Sequence, residues 1–301
     1  MKNIEIFLKE NRIPYKKYES LAKYTTLRIG GYADFVVFPD EDSVLKLLEI
    51  IRNEGTAYYV IGGGSNLVVH DEGFKGVIIN TKQMKRINLE GFTIRTSAGV
   101  MLPRLLAFVL KIKLSGIEGL IGIPGTVGGA IKGNAGSFGY EISDCLAEVE
   151  IITDKLETKI LKKQDITFQY RSSNLVETWL IKSATFSLKE DDGEAFNRMK
   201  QFLQRKKQTQ PLREYSAGCV FKNPEGQSAG YLIEKAGLKG FRVGDILISH
   251  LHANYFINVG KGKANDFLKL MDIVKEKVFK LFSIELVPEI KILEAHHHHH
   301  H

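Results

Sequence analysis

Ile61-Gly62-Gly63-Gly64-Ser65-Asn66-Leu67 is the stretch that decides how this chain is read. Tyr58-Tyr59-Val60 leads into it, so the glycines leave the end of a predicted strand. Successive glycines accept φ > 0 and let backbone N–H groups approach a ligand closely. A bound pyrophosphate requires that geometry. A second glycine-rich stretch, Gly122-Ile123-Pro124-Gly125-Thr126-Val127-Gly128-Gly129-Ala130, follows, and then Gly133-Asn134-Ala135-Gly136. One such loop alone reads as a tight turn. Several in one stretch of chain point to a long, doubly phosphorylated cofactor held along its length.

Two familiar phosphate motifs are excluded. Leu67 stands where a dinucleotide-binding fingerprint needs its third glycine, and Val68–Gly76 reads as a loop leading to another strand rather than a helix. No Gly-Lys-Ser/Thr follows, so the loop is not a P-loop either.

Outward from the glycines, Ser43–Asn53 has helical spacing, with Ser43 as its cap. Ala57–Ile61, Val77–Thr81 and Phe92–Ala98 read as strands, and Met101–Lys113 as a helix with Pro103 in its first turn. Leu146–Thr153, Glu157–Leu161 and Trp179–Lys189 are further strands. Asp191-Asp192-Gly193 is the candidate hinge, followed by a charged amphipathic helix, Glu194–Gln208. Beyond it come strand Gly218–Lys222, helix Ala229–Ala236, strands Asp245–Ser249 and Asn254–Val259, helix Ala264–Phe282 and strand Leu286–Leu293. Many strands with few helices predict an α+β fold rather than a regular βαβ array.

The 301 residues suggest two domains, and 44% hydrophobic content is enough for real cores. Residues 296–301 are a polyhistidine purification tag, leaving His70, His250 and His252 as native histidines, so no metal site is expected. Met1–Glu10 is a charged amphipathic opening and not a signal peptide. No apolar run approaches the roughly 18 residues that a membrane span needs. Cys145 and Cys219 are too few for a disulfide framework, so a cytoplasmic location is expected. The net charge of +7 reads as a solvated lysine-rich surface, because aromatics do not interleave with the basic runs. Nucleic-acid binding is therefore not expected.

A set of motifs runs in order from about Thr25 to Leu293. It comprises Thr25-Thr26-Leu27-Arg28-Ile29-Gly30-Gly31, the glycine loops, Tyr170-Arg171-Ser172-Ser173, and Ser216-Ala217-Gly218-Cys219-Val220-Phe221-Lys222-Asn223-Pro224. Ala229-Gly230, Leu232-Ile233-Glu234-Lys235-Ala236-Gly237-Leu238-Lys239-Gly240, His252-Ala253-Asn254 and Val287-Pro288-Glu289-Ile290 complete it. This set resembles the UDP-N-acetylenolpyruvoylglucosamine reductases, the UDP-N-acetylmuramate dehydrogenases of peptidoglycan synthesis. The short distance from Arg171 to the strand at Trp179 resembles the second type of the family, which lacks a tyrosine-bearing insertion.

The resemblance implies an FAD-binding domain of the p-cresol methylhydroxylase/vanillyl-alcohol oxidase type, with a C-terminal α+β substrate domain. Residues 1–192 would form the FAD-binding region, with its core from about 25. Residues 193–295 would form the substrate domain, whose last strand returns Glu289. The implied cofactor is non-covalent FAD. The implied reactants are NADPH and UDP-N-acetylglucosamine-enolpyruvate, and the implied state is a monomer.

By the same resemblance, Gly62, Gly63, Gly64, Ser65 and Asn66 line the FAD pyrophosphate. Gly125, Thr126, Gly128 and Gly129 line its other side, and Asn134 and Ala135 approach the flavin or ribityl chain. Arg171 binds the substrate carboxylate, because a guanidinium fork matches it at two points. Cys219 stands where the family more often has serine, and would protonate C2 of the enolate. Glu289 would polarise the enolate or serve as proton-relay partner. Tyr170, Lys222 and Asn223 are expected on the substrate, whereas Tyr231 replaces a common family lysine and receives no role.

Two other readings compete: a small alcohol or lactone oxidase on the same FAD fold, and a non-catalytic UDP-sugar-binding relative. The Ser-Ala-Gly-Cys, Leu-Ile-Glu-Lys-Ala-Gly-Leu and Pro-Glu segments argue against the first. The presence of Arg171 and Glu289 argues against the second.

Overall fold

The computed structural model describes residues 1–296, so the tag beyond His296 lies outside the described residues. Seven α-helices are described: α1 Lys2–Glu10, α2 Val44–Asn53, α3 Leu102–Lys111, α4 Val127–Lys132, α5 Ala195–Thr209, α6 Ala229–Lys235 and α7 Ala264–Phe282. Spacing explains the long ones. In α2, Val44, Leu47, Leu48 and Ile51 form one apolar stripe, and all four are buried.

Two larger sheets build the N-terminal half. The first has the spatial order Tyr15–Ser20, Tyr32–Val37, Phe74–Asn80, Tyr58–Ile61. Its outer pair is antiparallel, and the remaining pairs are parallel. The second is antiparallel throughout, in the order Thr158–Lys162, Leu146–Ile152, Leu180–Ser187, Thr93–Ser97, Ile87–Glu90. Val77 and Ile79 of the first sheet, Val149 and Ile151 of the second, and Leu105 of α3 share one core. The parallel strand Tyr58–Ile61 runs directly into the first glycine loop.

The C-terminal half is a four-stranded antiparallel sheet in the order Ser216–Cys219, Tyr255–Asn258, Ile246–Ile248, Arg242–Val243. Phe256 of this sheet packs with Leu232 and Ile233 of α6 and with Phe267, Leu270 and Val274 of α7. Leu27, Ile29 and Val68 belong to the same core, although they precede it by about half the chain. The halves are also bonded directly: Thr26 Oγ1 donates to the Ser216 carbonyl at 2.7 Å, and Asn258 Nδ2 to the Leu27 carbonyl at 3.0 Å. Helix α5 lies against the N-terminal half, where Arg198 pairs with buried Glu118 at 3.3 Å.

Several local readings gain or change an element. Tyr15–Ser20 and Tyr32–Val37 are strands that the sequence did not reveal; the first is an edge strand, Tyr-Lys-Lys-Tyr-Glu-Ser, with no buried residue to set a pattern. The strand read over Phe92–Ala98 forms as Thr93–Ser97, and the unread strand Ile87–Glu90 joins it in a hairpin turned at Gly91 with φ +62°. Leu67–Val69, read as loop, is a buried strand paired in parallel with Lys291–Leu293. Of the strand expected over Leu286–Leu293, only Lys291–Leu293 forms a ladder. Pro288 has no N–H to offer, and meets Phe221 in an isolated bridge.

Candidate active site

The two glycine loops touch backbone on backbone. Gly64 has φ +61°, and a Cβ there would lie 2.0 Å from the Tyr24 carbonyl oxygen. A Cβ on Gly62 would meet Thr126 Oγ1 at 2.4 Å, and one on Gly63 would meet Gly125 Cα at 2.7 Å. Only glycine lets these loops approach so closely. Ser65 Oγ reaches the Pro124 carbonyl at 3.4 Å across the seam. Thr126 caps α4, its Oγ1 accepting from the Gly129 N–H at 3.3 Å. Gly128 is buried against Ala98, whereas Gly129 is exposed and has only Thr126 Oγ1 near its Cβ position, at 3.5 Å. The result is a seam lined by backbone rather than side chains, with an accessible edge at Asn66 and Gly129. A dinucleotide pyrophosphate fits such a cradle.

Asn134 does not reach that seam with its side chain. It is fully buried with φ +44°; Nδ2 donates to Glu141 Oε2 and to the Gln169 carbonyl, each at 3.0 Å, and Oδ1 accepts from the Ser143 N–H at 3.4 Å. These side-chain bonds fasten the loop to the next functional element. Half-buried Ala135 remains beside the loop.

That next element is the hairpin Phe168–Gln169/Ser172–Ser173, with Tyr170 and Arg171 at its tip. Arg171 has φ +52° and is anchored by an N–H bond to the Gly136 carbonyl. Its guanidinium lies 5.1 Å from the Tyr170 ring centroid, and Nε lies 3.5 Å from Glu289 Oε1. Glu289 arrives from the far end of the chain. Its N–H donates to the Val220 carbonyl at 2.8 Å, and the Lys222 N–H donates to the Val287 carbonyl at 2.8 Å. These bonds set Glu289 beside Cys219, which ends its strand half-buried.

Burial and the Glu289 carboxylate push the Cys219 thiol up to about 11, against the opposing pull of hydrogen bonds from Tyr255 and Asn254 and of the Arg171 charge. The thiol is therefore protonated at neutral pH and suits an acid rather than a nucleophile. Burial also raises Glu289 above the usual carboxylate range, opposed by Arg171 and Lys222. Asn223 is exposed, with Oδ1 accepting from the Ala229 N–H at 3.0 Å at the start of α6. No group of histidine, cysteine and carboxylate residues that could hold a metal occurs among the described residues.

Residues 33–159 match the FAD binding domain family, and residues 210–293 match the UDP-N-acetylenolpyruvoylglucosamine reductase C-terminal domain family. The UDP-N-acetylenolpyruvoylglucosamine reductase of Carboxydothermus hydrogenoformans is 41% identical over 285 residues, covering 93% of this chain and 94% of the relative. The chain belongs to the UDP-N-acetylenolpyruvoylglucosamine reductase family. The Syntrophobacter fumaroxidans reductase is 40% identical across 93% of this chain and 84% of its own length. The crystal structure of the Thermus caldophilus reductase matches with a TM-score of 0.80 at 36% identity, covering 94% of this chain and 99% of that one. An alkyldihydroxyacetonephosphate synthase matches at TM-score 0.51 and 20% identity over 63% of this chain and 40% of its own, which shows a shared fold. The expected α+β architecture, with an FAD domain of the p-cresol methylhydroxylase/vanillyl-alcohol oxidase type, is the one found.

Within this reductase-family frame, the expected glycine-loop residues fall in the FAD-binding match, while Cys219, Lys222, Asn223 and Glu289 fall in the C-terminal match. Arg171 lies between the two matched regions. The chain passes from Ser173 to strand Leu180–Ser187 through Asn174–Trp179 alone, with no insertion.

Two residues of the site escaped the sequence reading. Lys206 of α5 is only 3% exposed, donates from Nζ to the Ile121 carbonyl at 2.8 Å, and passes over Gly122. Burial and the nearby Arg171 charge lower it to about 8, with Cys219 opposing. The available signal was helical phase, since Lys206 lies seven residues after buried Met199 on the same stripe. The other is Tyr255, which stands directly opposite Cys219 in the sheet.

Proposed function

We propose that this chain reduces the enolpyruvyl group of UDP-N-acetylglucosamine-enolpyruvate to give UDP-N-acetylmuramate, using NADPH. The observation that carries the reading is the convergence of Arg171, Cys219 and Glu289 beside two interlocked glycine loops. Non-covalent FAD, when bound, supplies the carrier that takes hydride from NADPH and delivers it to enolpyruvyl C3. Gly62, Gly63, Gly64, Ser65, Asn66, Gly125, Thr126, Gly128, Gly129, Asn134 and Ala135 would hold it.

The protein's own groups account for the rest. The Arg171 fork binds the substrate carboxylate and stabilises the charge that grows on it as the C2 enolate forms. Cys219 gives its thiol proton to C2. Glu289 fixes the guanidinium through their ion pair and acts as proton-relay partner, burial raising its affinity for protons. Tyr170, Lys222 and Asn223 contact the rest of the substrate, with Lys222 supplying charge for the diphosphate. Residues 1–192 form the FAD-binding region, which also lends Tyr170 and Arg171 to the substrate, and residues 193–295 form the substrate domain that returns Glu289. The reading places a monomeric enzyme in the cytoplasm, without nucleic-acid or membrane partners. No helix of the described residues is long and apolar enough to cross a membrane.

The test is NADPH consumption with and without the enolpyruvyl sugar, followed by separate half-reactions. Dependence on the sugar is expected. Arg171→Ala and Glu289→Gln should leave flavin bleaching by NADPH intact and slow reoxidation by the sugar roughly 100-fold or more. Cys219→Ser should keep substantial activity, and Cys219→Ala should not. NADPH consumption that needs oxygen and ignores the sugar would replace this reading with the oxidase.

A further inference from the structure

We propose that Tyr255 is a positioning residue for Cys219: its hydroxyl holds the sulfur towards the cleft and donates a hydrogen bond to the thiolate left after proton transfer. The inference rests on the reading of Cys219 as the proton donor. Strands Ser216–Cys219 and Tyr255–Asn258 are antiparallel, with Cys219 directly opposite Tyr255. Opposed residues present their side chains on the same face of a sheet. The ladder is irregular between Ser216 and Cys219, so Cys219 meets its partner at the end of the strand, where the sheet opens into the site.

Tyr255 has little freedom to do anything else. It is 9% exposed, and its ring meets His252 edge-on at 4.9 Å. The neighbouring Asn254 is fastened to Phe221 by two bonds: Oδ1 accepts from its N–H at 3.0 Å, and Nδ2 donates to its carbonyl at 2.8 Å. The Val220 N–H donates to the Asn254 carbonyl at 2.9 Å. The backbone on both sides of the Cys219–Tyr255 pair is thus held in place. The two side chains are close enough for each to act on the other's proton, the phenol favouring the thiolate and the thiolate holding the phenol proton in place.

The chemistry needs such a donor. As Cys219 acts, its S–H bond breaks and a C2–H bond forms from the electron pair of the enolate. Sulfur keeps the S–H pair as a thiolate, and water later restores its proton. Glu289 repels that thiolate, while Arg171 and Lys206 attract it and Asn254 donates to it. Arg171 is already committed to Glu289 and to the substrate carboxylate, and Lys206 to the Ile121 carbonyl. Burial and the neighbouring Cys219 and Glu289 hold the Tyr255 proton far above the ordinary phenol range, so the hydroxyl stays intact as a donor throughout.

The experiment uses Tyr255→Phe in the full chain loaded with FAD, which deletes the hydroxyl and keeps the ring. Iodoacetamide labelling of Cys219 is followed by peptide mass spectrometry, which separates it from Cys145. Because the thiolate is the reacting species, the labelling rate at about pH 8.5 should fall roughly tenfold. Flavin reoxidation by the enolpyruvyl sugar should slow by a similar factor, with bleaching by NADPH and KM for the sugar unchanged. An unmoved labelling rate overturns the proposal, as does a loss spread equally over FAD retention, KM and both half-reactions. Adding Tyr255→Phe to Cys219→Ala should cause no further loss of turnover, and a further tenfold loss would overturn it too. Wild-type turnover in Cys219→Ala alone would remove the proton-donor reading and the catalytic part of this proposal, while the labelling rate would still report the hydrogen bond.

Discussion

Glu289 lies 3.5 Å from the Arg171 guanidinium, yet burial outweighs that attraction and its carboxyl holds its proton above the usual range. The sign of the stability effect follows. The folded protein binds this proton more tightly than the unfolded chain, so the contribution is present below the ordinary carboxylate pKa of about 4.3 and is lost as pH rises through the raised folded value. Glu289→Gln replaces the carboxylate with a neutral group of similar shape. Its melting temperature relative to wild type should therefore be more favourable at about pH 7.5 than at about pH 4. Melting curves at both pH values check this, and an equal difference at both would show that ionised Glu289 carries no burial penalty. The same variant loses turnover, as expected where a site keeps a strained charge for function. Arg171, Cys219 and Glu289 were legible only as members of motifs far apart in sequence, because no local pattern says that they meet. Lys206 was the converse case: the Lys206-Lys207 pair looks like solvated charge, and only helix phase turns Lys206 inward. Asn134 carries a second duty that its place between glycines does not announce: its side-chain bonds all close within the protein.

The glycine loops were the most legible elements of the site, but their sequence does not say which glycine serves packing and which serves the ligand. Neighbours in space decide that. Gly64 combines φ +61° with a Tyr24 carbonyl 2.0 Å from its Cβ position. Alanine there carries a backbone penalty of roughly 1–2 kcal/mol before the clash is counted. Gly64→Ala should lower the melting temperature of the FAD-free protein and abolish retention of flavin. Gly129 sits in the first turns of α4, with 3.5 Å to its nearest neighbour. Alanine there should stabilise the helix by up to about 1 kcal/mol. Gly129→Ala should thus melt no lower than wild type without FAD, and still bind FAD more weakly because its methyl group enters the cradle. Flavin absorbance per protein and FAD-free melting curves separate the two effects. Full FAD retention in Gly129→Ala would mean that the cofactor does not approach this turn. Short strands were the illegible counterpart. Leu67–Val69 and Lys291–Leu293 have three residues each, too few to establish a period, and each becomes a strand only because the other exists.

That pairing joins the last described strand to the first glycine loop, at the place where the chemistry is expected. Lys291 N–H donates to the Asn66 carbonyl at 2.8 Å, directly after the first glycine loop, and His70 N–H donates to the Leu293 carbonyl at 2.9 Å. Leu293 is fully buried with Leu67, Val69 and Phe74. Glu289 stands two residues before this ladder and has a second anchor, its bond to Val220 in the C-terminal half. It is therefore suspended between the FAD-binding half and the half that carries Cys219. A chain ending at Ile290 keeps Glu289 and the Val220 anchor but removes the ladder. Loss of Leu293 alone should cost about 2–5 kcal/mol of stability. The truncated protein should melt at lower temperature, and its flavin should still bleach with NADPH in the molecules that retain FAD. Per bound FAD, reoxidation by the enolpyruvyl sugar should fall about tenfold or more, because a small displacement of a catalytic group is enough to lose that much. Normalising to bound flavin separates this effect from simple cofactor loss. Unchanged turnover per bound FAD would show that the Val220 bond and the Phe221–Pro288 bridge are sufficient to place Glu289, and that the final strand serves stability alone.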